Sequence, residues 1–218
     1  MGICVFFGGK MERKLLKLYA ITDGSVNPED KVRQALQGGV TIVQYRVKDA
    51  DDVRKVEEAT KLLGVCKEYK VPLIINDDVM LALKIGADGV HVGQNDMSVI
   101  KAREILGDKM IIGATAKTVE QAKIAEQQGA DYLGSGAVFG STTKTDALPM
   151  SKELLSQICS SVTIPVVAIG GINKDNIDYL EDTNISGVAV IDGIFGEDDI
   201  TATTEVLYNK IYAITGGM

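Results

Sequence analysis

Gln44, Arg46 and Lys48 alternate along the segment Val40–Lys48, directly after the pair Gly38-Gly39. Side chains two apart in a strand face the same way. The segment begins apolar, as a buried strand does, and ends with an amide, a guanidinium and an ammonium on one face. Burying such groups without partners costs several kcal/mol each. Their grouping therefore points to an anion site at the strand's C-terminal end. The plainer alternative is an edge strand with a solvated charged face.

Further groups of this kind follow in the chain. Asn76-Asp77-Asp78 and His91-Val-Gly-Gln-Asn-Asp96 place Asp77 and Asp96 after two successive apolar runs. Paired hard carboxylates beside a basic strand end suit Mg²⁺ shared with phosphate oxygens. Either Asp alone reads equally well as a helix N-cap, a role Asp78 can take while Asp77 points inward. Gly140-Ser141-Thr142-Thr143-Lys144 combines a flexible backbone, three hydroxyls and a lysine, and can wrap a phosphate. It lacks Walker spacing and is not a P-loop. Gly170-Gly171 and Gly193 fit phosphate-bearing loops, with simple tight turns as the alternative. His91, the only histidine, lies in mid-strand and reads as a buried structural residue. A site with two anions, one metal and no evident base or nucleophile suits ionisation of a leaving group better than proton abstraction.

The elements that must position these groups alternate regularly. Short apolar, β-branched runs predict strands near Leu18–Thr22, Thr41–Arg46, Leu73–Asn76, Gly89–Val92, Met110–Ala114, Tyr132–Ser135, Val166–Ile169 and Gly187–Ile191. Helical patterns fill the gaps at Pro28–Gln37, Asp51–Tyr69, Asp78–Lys84, Ser98–Leu106, Val119–Gln128, Ser151–Ser160, Lys174–Glu181 and Ile200–Ile211. Glycines at the helix-to-strand junctions (Gly38-Gly39, Gly86, Gly129) supply left-handed caps. Eight βα units with no linker between them predict a single (β/α)₈ barrel, an α/β fold, with an open doubly wound sheet as the alternative. In a barrel, chemistry gathers where strands end, and every group named above falls at such an end. Residues 15–218 read as the barrel and residues 1–14 as an extension expected to be disordered.

The totals narrow the function. The chain has 218 residues, 45% hydrophobic and 24% charged, with a formal net charge of -7. That balance suits one folded domain. The negative charge argues against nucleic acid and acidic membranes as partners, so a basic anion site must be local. Three widely spaced cysteines, Cys4, Cys66 and Cys159, without a CxxC, suit reduced thiols in a cytoplasmic protein. No apolar run reaches the roughly 18 residues of a membrane span.

In this order the motifs resemble the thiamin-phosphate synthase (thiamin-phosphate pyrophosphorylase) family. The resemblance spans about Leu18 to Tyr212 and rests on Gln44-x-Arg46-x-Lys48, Asn76-Asp77-Asp78, His91-x-Gly-Gln-x-Asp96, Thr143-Lys144, Ile169-Gly-Gly-Ile172 and Val188–Ile191. It implies a transferase that joins a pyrimidine pyrophosphate to a thiazole phosphate and releases pyrophosphate. By the same resemblance, Gln44, Tyr45, Arg46, Val47, Lys48, Asn76 and Lys144 line the pyrimidine pyrophosphate site. Mg²⁺ sits on Asp77 and Asp96, and Thr115 stands beside the pyrimidine where serine is usual. Ser141, Thr142, Thr143, Gly171, Ile191 and Asp192 fall where the thiazole partner binds. Arg46, Lys48 and Lys144 carry the catalytic role of stabilising the departing pyrophosphate. The partners implied are these small molecules, with a homodimer as the candidate assembly.

This sequence departs from the family pattern in places. Asp192 replaces a usual serine and sets a carboxylate near an anion. Ala137 and Gly140 stand where prolines are common, and Lys117 where histidine is frequent. Two other readings compete. A thiazole tautomerase on the same barrel needs no metal or pyrophosphate clamp, and a non-catalytic phosphate-binding barrel would have shed clamp residues. The retained Gln44, Arg46, Lys48, Asp77, Asp96 and Lys144 argue against both.

Overall fold

The computed structural model describes residues 6–7, 10–48, 50–140 and 149–216. Eight short strands follow the apolar runs: β1 (Leu18–Ile21), β2 (Ile42–Tyr45), β3 (Leu73–Asn76), β4 (Gly89–Val92), β5 (Ile111–Thr115), β6 (Tyr132–Gly136), β7 (Val166–Ile169) and β8 (Gly187–Val190). Each pairs in parallel with the next, and β8 returns to β1 through Val188↔Leu18 and Ala189↔Tyr19. That last pairing closes the sheet and excludes the open doubly wound alternative.

Alternation along the strands sorts the core into two compartments. Leu18, Val43, Ile75, Val90 and Leu133 point outward and join the layer beneath the helices. Tyr19, Ile42, Ile74, Ile111, Tyr132 and Val167 point inward and form a separate cluster inside the barrel. The outer layer is larger because the helices cover each strand, which is why the strands read as continuous apolar runs.

The surrounding helices are α1 (Glu29–Gln37), α2 (Asp52–Tyr69), α3 (Val79–Ile85), α4 (Val99–Leu106), α5 (Val119–Gln127), α6 (Lys152–Ser161), α7 (Asp192–Phe195) and α8 (Ile200–Ile214). Side-chain caps start most of them. Asp51 accepts from the Arg54 N–H, Asp78 from Leu81, Thr118 from Gln121 and Asp199 from Ala202. Each such cap satisfies one of the donors that a helix N-terminus leaves without a partner. No helix among the described residues is long and apolar enough to cross a membrane.

The helix expected over Lys174–Glu181 is instead a single 3₁₀ turn, Ile177–Leu180. Asn173 and Asn176 explain the difference: Asn173 Oδ1 accepts from the Asp175 and Asn176 N–H groups, and Asn176 Oδ1 accepts from the Asn173 N–H. Asparagine side chains here take the donors that would otherwise start a helix. The short α7, which the sequence did not signal, begins at Asp192 directly after the last strand.

The N-terminal face of the barrel is closed from below. Residues Arg13–Leu16 form a 3₁₀ turn that follows the pairing of Phe6–Phe7 with Lys10–Met11. Met11 and Leu16 are buried against the inner cluster. Gly187 lets this turn approach, since a Cβ there would lie 1.7 Å from the Leu16 carbonyl oxygen. A backbone atom cannot swing aside as a side chain can. Gly187→Ala is therefore expected to destabilise the fold by about 3 kcal/mol, in the upper range for overpacking. A denaturant midpoint equal to wild type would refute this floor contact.

Candidate active site

Strand β2 delivers the first clamp by simple alternation. Gln44 points into the barrel and is only 2% exposed. Arg46 follows on the same face at the mouth, with Lys48 on the exposed rim. Thr22, which sequence reasoning passed over, holds this strand end. Its hydroxyl accepts from the Arg46 N–H at 2.8 Å and donates to the Arg46 carbonyl at 2.9 Å.

The residues between them face the other way. The Tyr45 side chain points out of the barrel, where its hydroxyl donates to Glu58 Oε2 at 2.8 Å. Val47 packs against the outer core. Neither side chain faces the cavity, so a ligand contact there would have to come from backbone. Behind the strand, Glu58 also accepts from Arg54 Nε at 2.9 Å. Burial opposes the charge on Glu58, but the Arg54 and Tyr45 hydrogen bonds outweigh it and hold the carboxyl below its usual range.

A cavity of about 400 Å³ opens at the C-terminal ends of the strands. Gln44, Arg46, Asn76, Thr115, Gly171 and Asp192 all line it. Five expected strand ends thus meet on one space. Its floor is a continuous set of hydrogen bonds across the barrel. Gln44 Nε2 donates to the Tyr19 hydroxyl at 2.7 Å, which lies 2.8 Å from the Tyr132 hydroxyl. Tyr132 is 3.1 Å from His91 Nδ1, and His91 Nε2 is 3.1 Å from Thr115 Oγ1. His91 is thus half-buried and lines the cavity, rather than sitting wholly in the core as expected. The signal for Tyr19 and Tyr132 was available: each is a tyrosine at an inward position of an otherwise apolar strand.

The acidic corner is built by β3 and β4. Asp77 adopts a left-handed φ of 62°, and its N–H donates to the His91 carbonyl at 2.8 Å. Asn76 Nδ2 donates to Asp77 Oδ2 at 2.6 Å, and the Gly93 N–H donates to Asp96 Oδ2 at 2.9 Å. Asp78, not Asp77, caps α3. Desolvation and the neighbouring Asp96 carboxylate push Asp77 up to about 6, against partial compensation from Asn76 and Arg46. A carboxylate whose charge is disfavoured by a second one beside it fits a divalent cation held by the pair. Among the described residues no group of three His, Cys, Asp or Glu converges. Two carboxylates suit Mg²⁺, which keeps several waters and shares substrate phosphate oxygens.

At the opposite wall, the loops after β6 and β7 are joined. The Val138 N–H donates to Ile169 O and the Phe139 N–H to Gly170 O, both at 3.0 Å. Gly170 and Gly171 have φ of 105° and 66°, and a Cβ on Gly170 would lie 2.3 Å from Ala137 Cβ. Only glycine permits both the handedness and the approach. Asn176 Nδ2 donates to Gly171 O at 2.8 Å and fixes that peptide. Ile191 and the exposed Asp192 complete this end, with Glu197 beyond them held by Lys174 at 2.5 Å. Ser141, Thr142, Thr143 and Lys144 lie outside the described residues.

Lys48, Asp77 and Asp96 do not themselves line the cavity; Asp77 reaches it through Asn76. A parallel barrel whose cavity joins a basic strand end to a glycine loop, with a carboxylate pair beside it, defines a phosphate-handling barrel enzyme. The family model described as thiamine monophosphate synthase matches residues 18–194. The chain is 46% identical over 199 residues to the thiamine-phosphate synthase of Clostridium acetobutylicum, covering 89% of this chain and 94% of that protein. It is 43% identical over 205 residues to the thiamine-phosphate synthase of Pyrococcus furiosus, covering 94% of this chain and 99% of that one. A solved structure of thiamine phosphate pyrophosphorylase from Pyrococcus furiosus superposes with a TM-score of 0.86 at 42% identity, covering 93% of this chain and 98% of its own. The chain belongs to the thiamine monophosphate synthase family, and is a transferase of thiamine biosynthesis.

The Glu58 cluster that backs strand β2 gives a pH test. A carboxyl lowered on folding contributes stability that is complete above its unfolded pKa of about 4.3 and is lost as pH falls through its folded value. Glu58→Gln is expected to cost about 2 kcal/mol at neutral pH, the scale of a charge-assisted hydrogen bond. It should also flatten the acid limb of the stability profile below about pH 4. An unchanged acid limb in chemical unfolding would show that Glu58 does not carry it.

Proposed function

We propose that this chain condenses 4-amino-2-methyl-5-hydroxymethylpyrimidine pyrophosphate with a thiazole phosphate, giving thiamin phosphate and pyrophosphate. The observation that carries the reading is the convergence of Gln44, Arg46, Asn76 and Thr115 on one cavity, with the Gly170–Gly171 turn opposite and the Asp77–Asp96 pair next to Asn76. One wall offers charge for a diphosphate and a metal, and the other offers backbone for a monophosphate.

In this reading Gln44 and Thr115 hold the pyrimidine ring on the cavity floor. Arg46, Lys48, Asn76 and Lys144 hold its pyrophosphate. Asp77 and Asp96 would hold Mg²⁺, which would supply Lewis-acid chemistry that offsets the charge of the pyrophosphate. The bond between the pyrimidine methylene carbon and the pyrophosphate oxygen breaks, and both electrons leave with pyrophosphate. Arg46, Lys48 and Lys144 stabilise the negative charge as it develops. The thiazole nitrogen lone pair then forms the new C–N bond to the methylene carbon. Ser141, Thr142, Thr143, Gly171, Ile191 and Asp192 hold the thiazole partner face to face with that carbon, which removes much of the entropic barrier. No side chain has to abstract a proton from carbon, which agrees with His91 being occupied on both ring nitrogens.

In this reading the enzyme works in the cytoplasm and residues 15–218 are its catalytic domain. The direct test incubates purified protein with both substrates and Mg²⁺, oxidises the product to a thiochrome, and repeats with EDTA. Metal-dependent thiochrome phosphate is the expected result, and its absence would overturn the reading. Lys144→Ala should lower turnover more than about tenfold, equivalent to about 1.4 kcal/mol of barrier; wild-type turnover would remove Lys144 from the clamp. Asp96→Asn should shift the Mg²⁺ titration to higher concentration, and an unaltered titration would take Asp96 out of the metal site.

A further inference from the structure

The floor of the cavity has a direction. A carboxamide nitrogen can only donate, so the Tyr19 hydroxyl accepts from Gln44 and has one proton left to give. Tyr19 is 1% exposed and Tyr132 fully buried. Burial pushes both phenols above their usual range, so both keep their protons. A buried hydroxyl donates wherever an acceptor is in reach. Tyr19 must therefore donate to Tyr132 at 2.8 Å, and Tyr132 to His91 Nδ1 at 3.1 Å. His91 is then the tautomer protonated on Nε2, and that N–H donates to Thr115 Oγ1 at 3.1 Å. The chain Gln44→Tyr19→Tyr132→His91→Thr115 runs one way.

Both ends of this chain line the cavity. With its nitrogen committed to Tyr19, Gln44 offers the cavity its carbonyl oxygen, an acceptor. With its oxygen accepting from His91, Thr115 offers the cavity its hydroxyl proton, a donor. Turning the Gln44 amide over would reverse every bond in the chain. Gln44 would then present a donor and Thr115 an acceptor. The two ends are coupled through three residues that need not touch the ligand.

We propose that Tyr19 and Tyr132 are positioning residues that set the substrate specificity of this site, by fixing it to accept a ring bearing an amino group beside an unprotonated ring nitrogen and to reject the corresponding oxo ring. A 4-aminopyrimidine gives a donor to Gln44 and an acceptor to Thr115. A 4-oxopyrimidine, with a carbonyl beside a ring N–H, requires the reverse at both ends. The inference rests on the pyrimidine reading of the cavity floor and adds the residues that enforce it. A site built to hydrogen-bond one pattern discriminates strongly against its inverse, because the mismatch leaves buried groups without partners.

The test measures binding of 4-amino-2-methyl-5-hydroxymethylpyrimidine pyrophosphate and its 4-oxo counterpart by calorimetry, in wild type, Tyr19→Phe and Tyr132→Phe. Each variant keeps the ring and removes only the hydroxyl, and a cooperative thermal transition confirms its fold. Wild type should prefer the amino compound by more than about 100-fold. Each variant should reduce that preference at least tenfold. A role in stability alone would weaken both compounds equally and leave the ratio in place. A ratio within twofold of wild type in both variants would overturn the proposal, as would a wild type that binds the two compounds alike. Thiochrome phosphate formation, followed in the same preparations, separates the two readings. Product with an unchanged ratio removes the directional chain and leaves the synthase. A strong amino preference without product removes the synthase reading and leaves the chain.

Discussion

The interior of a closed eight-stranded barrel excludes bulk water, so any polar side chain placed there must be satisfied by another side chain. This constraint organises the molecule. The sheet has no edge, the strands alternate in and out, and the inward positions divide between hydrocarbon and mutually bonded polar groups. Ile42, Ile74 and Ile111 fill space with hydrocarbon in one cluster with Leu16 and Met11. Gln44, Tyr19, Tyr132, His91 and Thr115 satisfy one another in series. Only at the rim, where water returns, do Arg46, Asp77 and Asp96 appear.

The acidic protein and its basic clamp are reconciled by the same geometry. The formal net charge of -7 lies outside the eight helices, whose own charges cancel. Arg46 brings positive charge to the cavity from a strand end. Beside it, the Asp77–Asp96 pair brings negative charge, so this side is balanced for an anion only together with a cation. The far wall differs in kind. It offers the glycine turn held by Asn176 together with two carboxylates, Glu197, which is paired with Lys174, and the exposed Asp192.

Much of this was legible in the sequence. All eight strands fall within a residue or so of their apolar runs, because a strand buried on both faces leaves a continuous hydrophobic signature. That Asp78 rather than Asp77 caps α3 was readable from capping chemistry. Tyr45 was harder, since its neighbours Gln44 and Arg46 drew it into the site. Strand alternation alone sends its side chain outward to Glu58. The turn at Ile177–Leu180 was missed because Asn173 and Asn176 compete for backbone donors, an effect invisible to periodicity. The Tyr19–Tyr132 contact escaped for another reason. The two residues are 113 positions apart, and only barrel closure brings their hydroxyls together.

Glycine opposite a large side chain recurs inside the barrel. A Cβ on Gly113 would lie 2.2 Å from the Tyr132 ring, and one on Gly134 would lie 3.2 Å from the His91 ring. The floor of the cavity is therefore an interlocking surface whose shape is written jointly by small and large residues on different strands. Neither member of such a pair can change size alone without opening a void or forcing a clash. A redesign of the cavity floor would therefore have to change both members of a pair together, whereas a loop residue can be exchanged by itself.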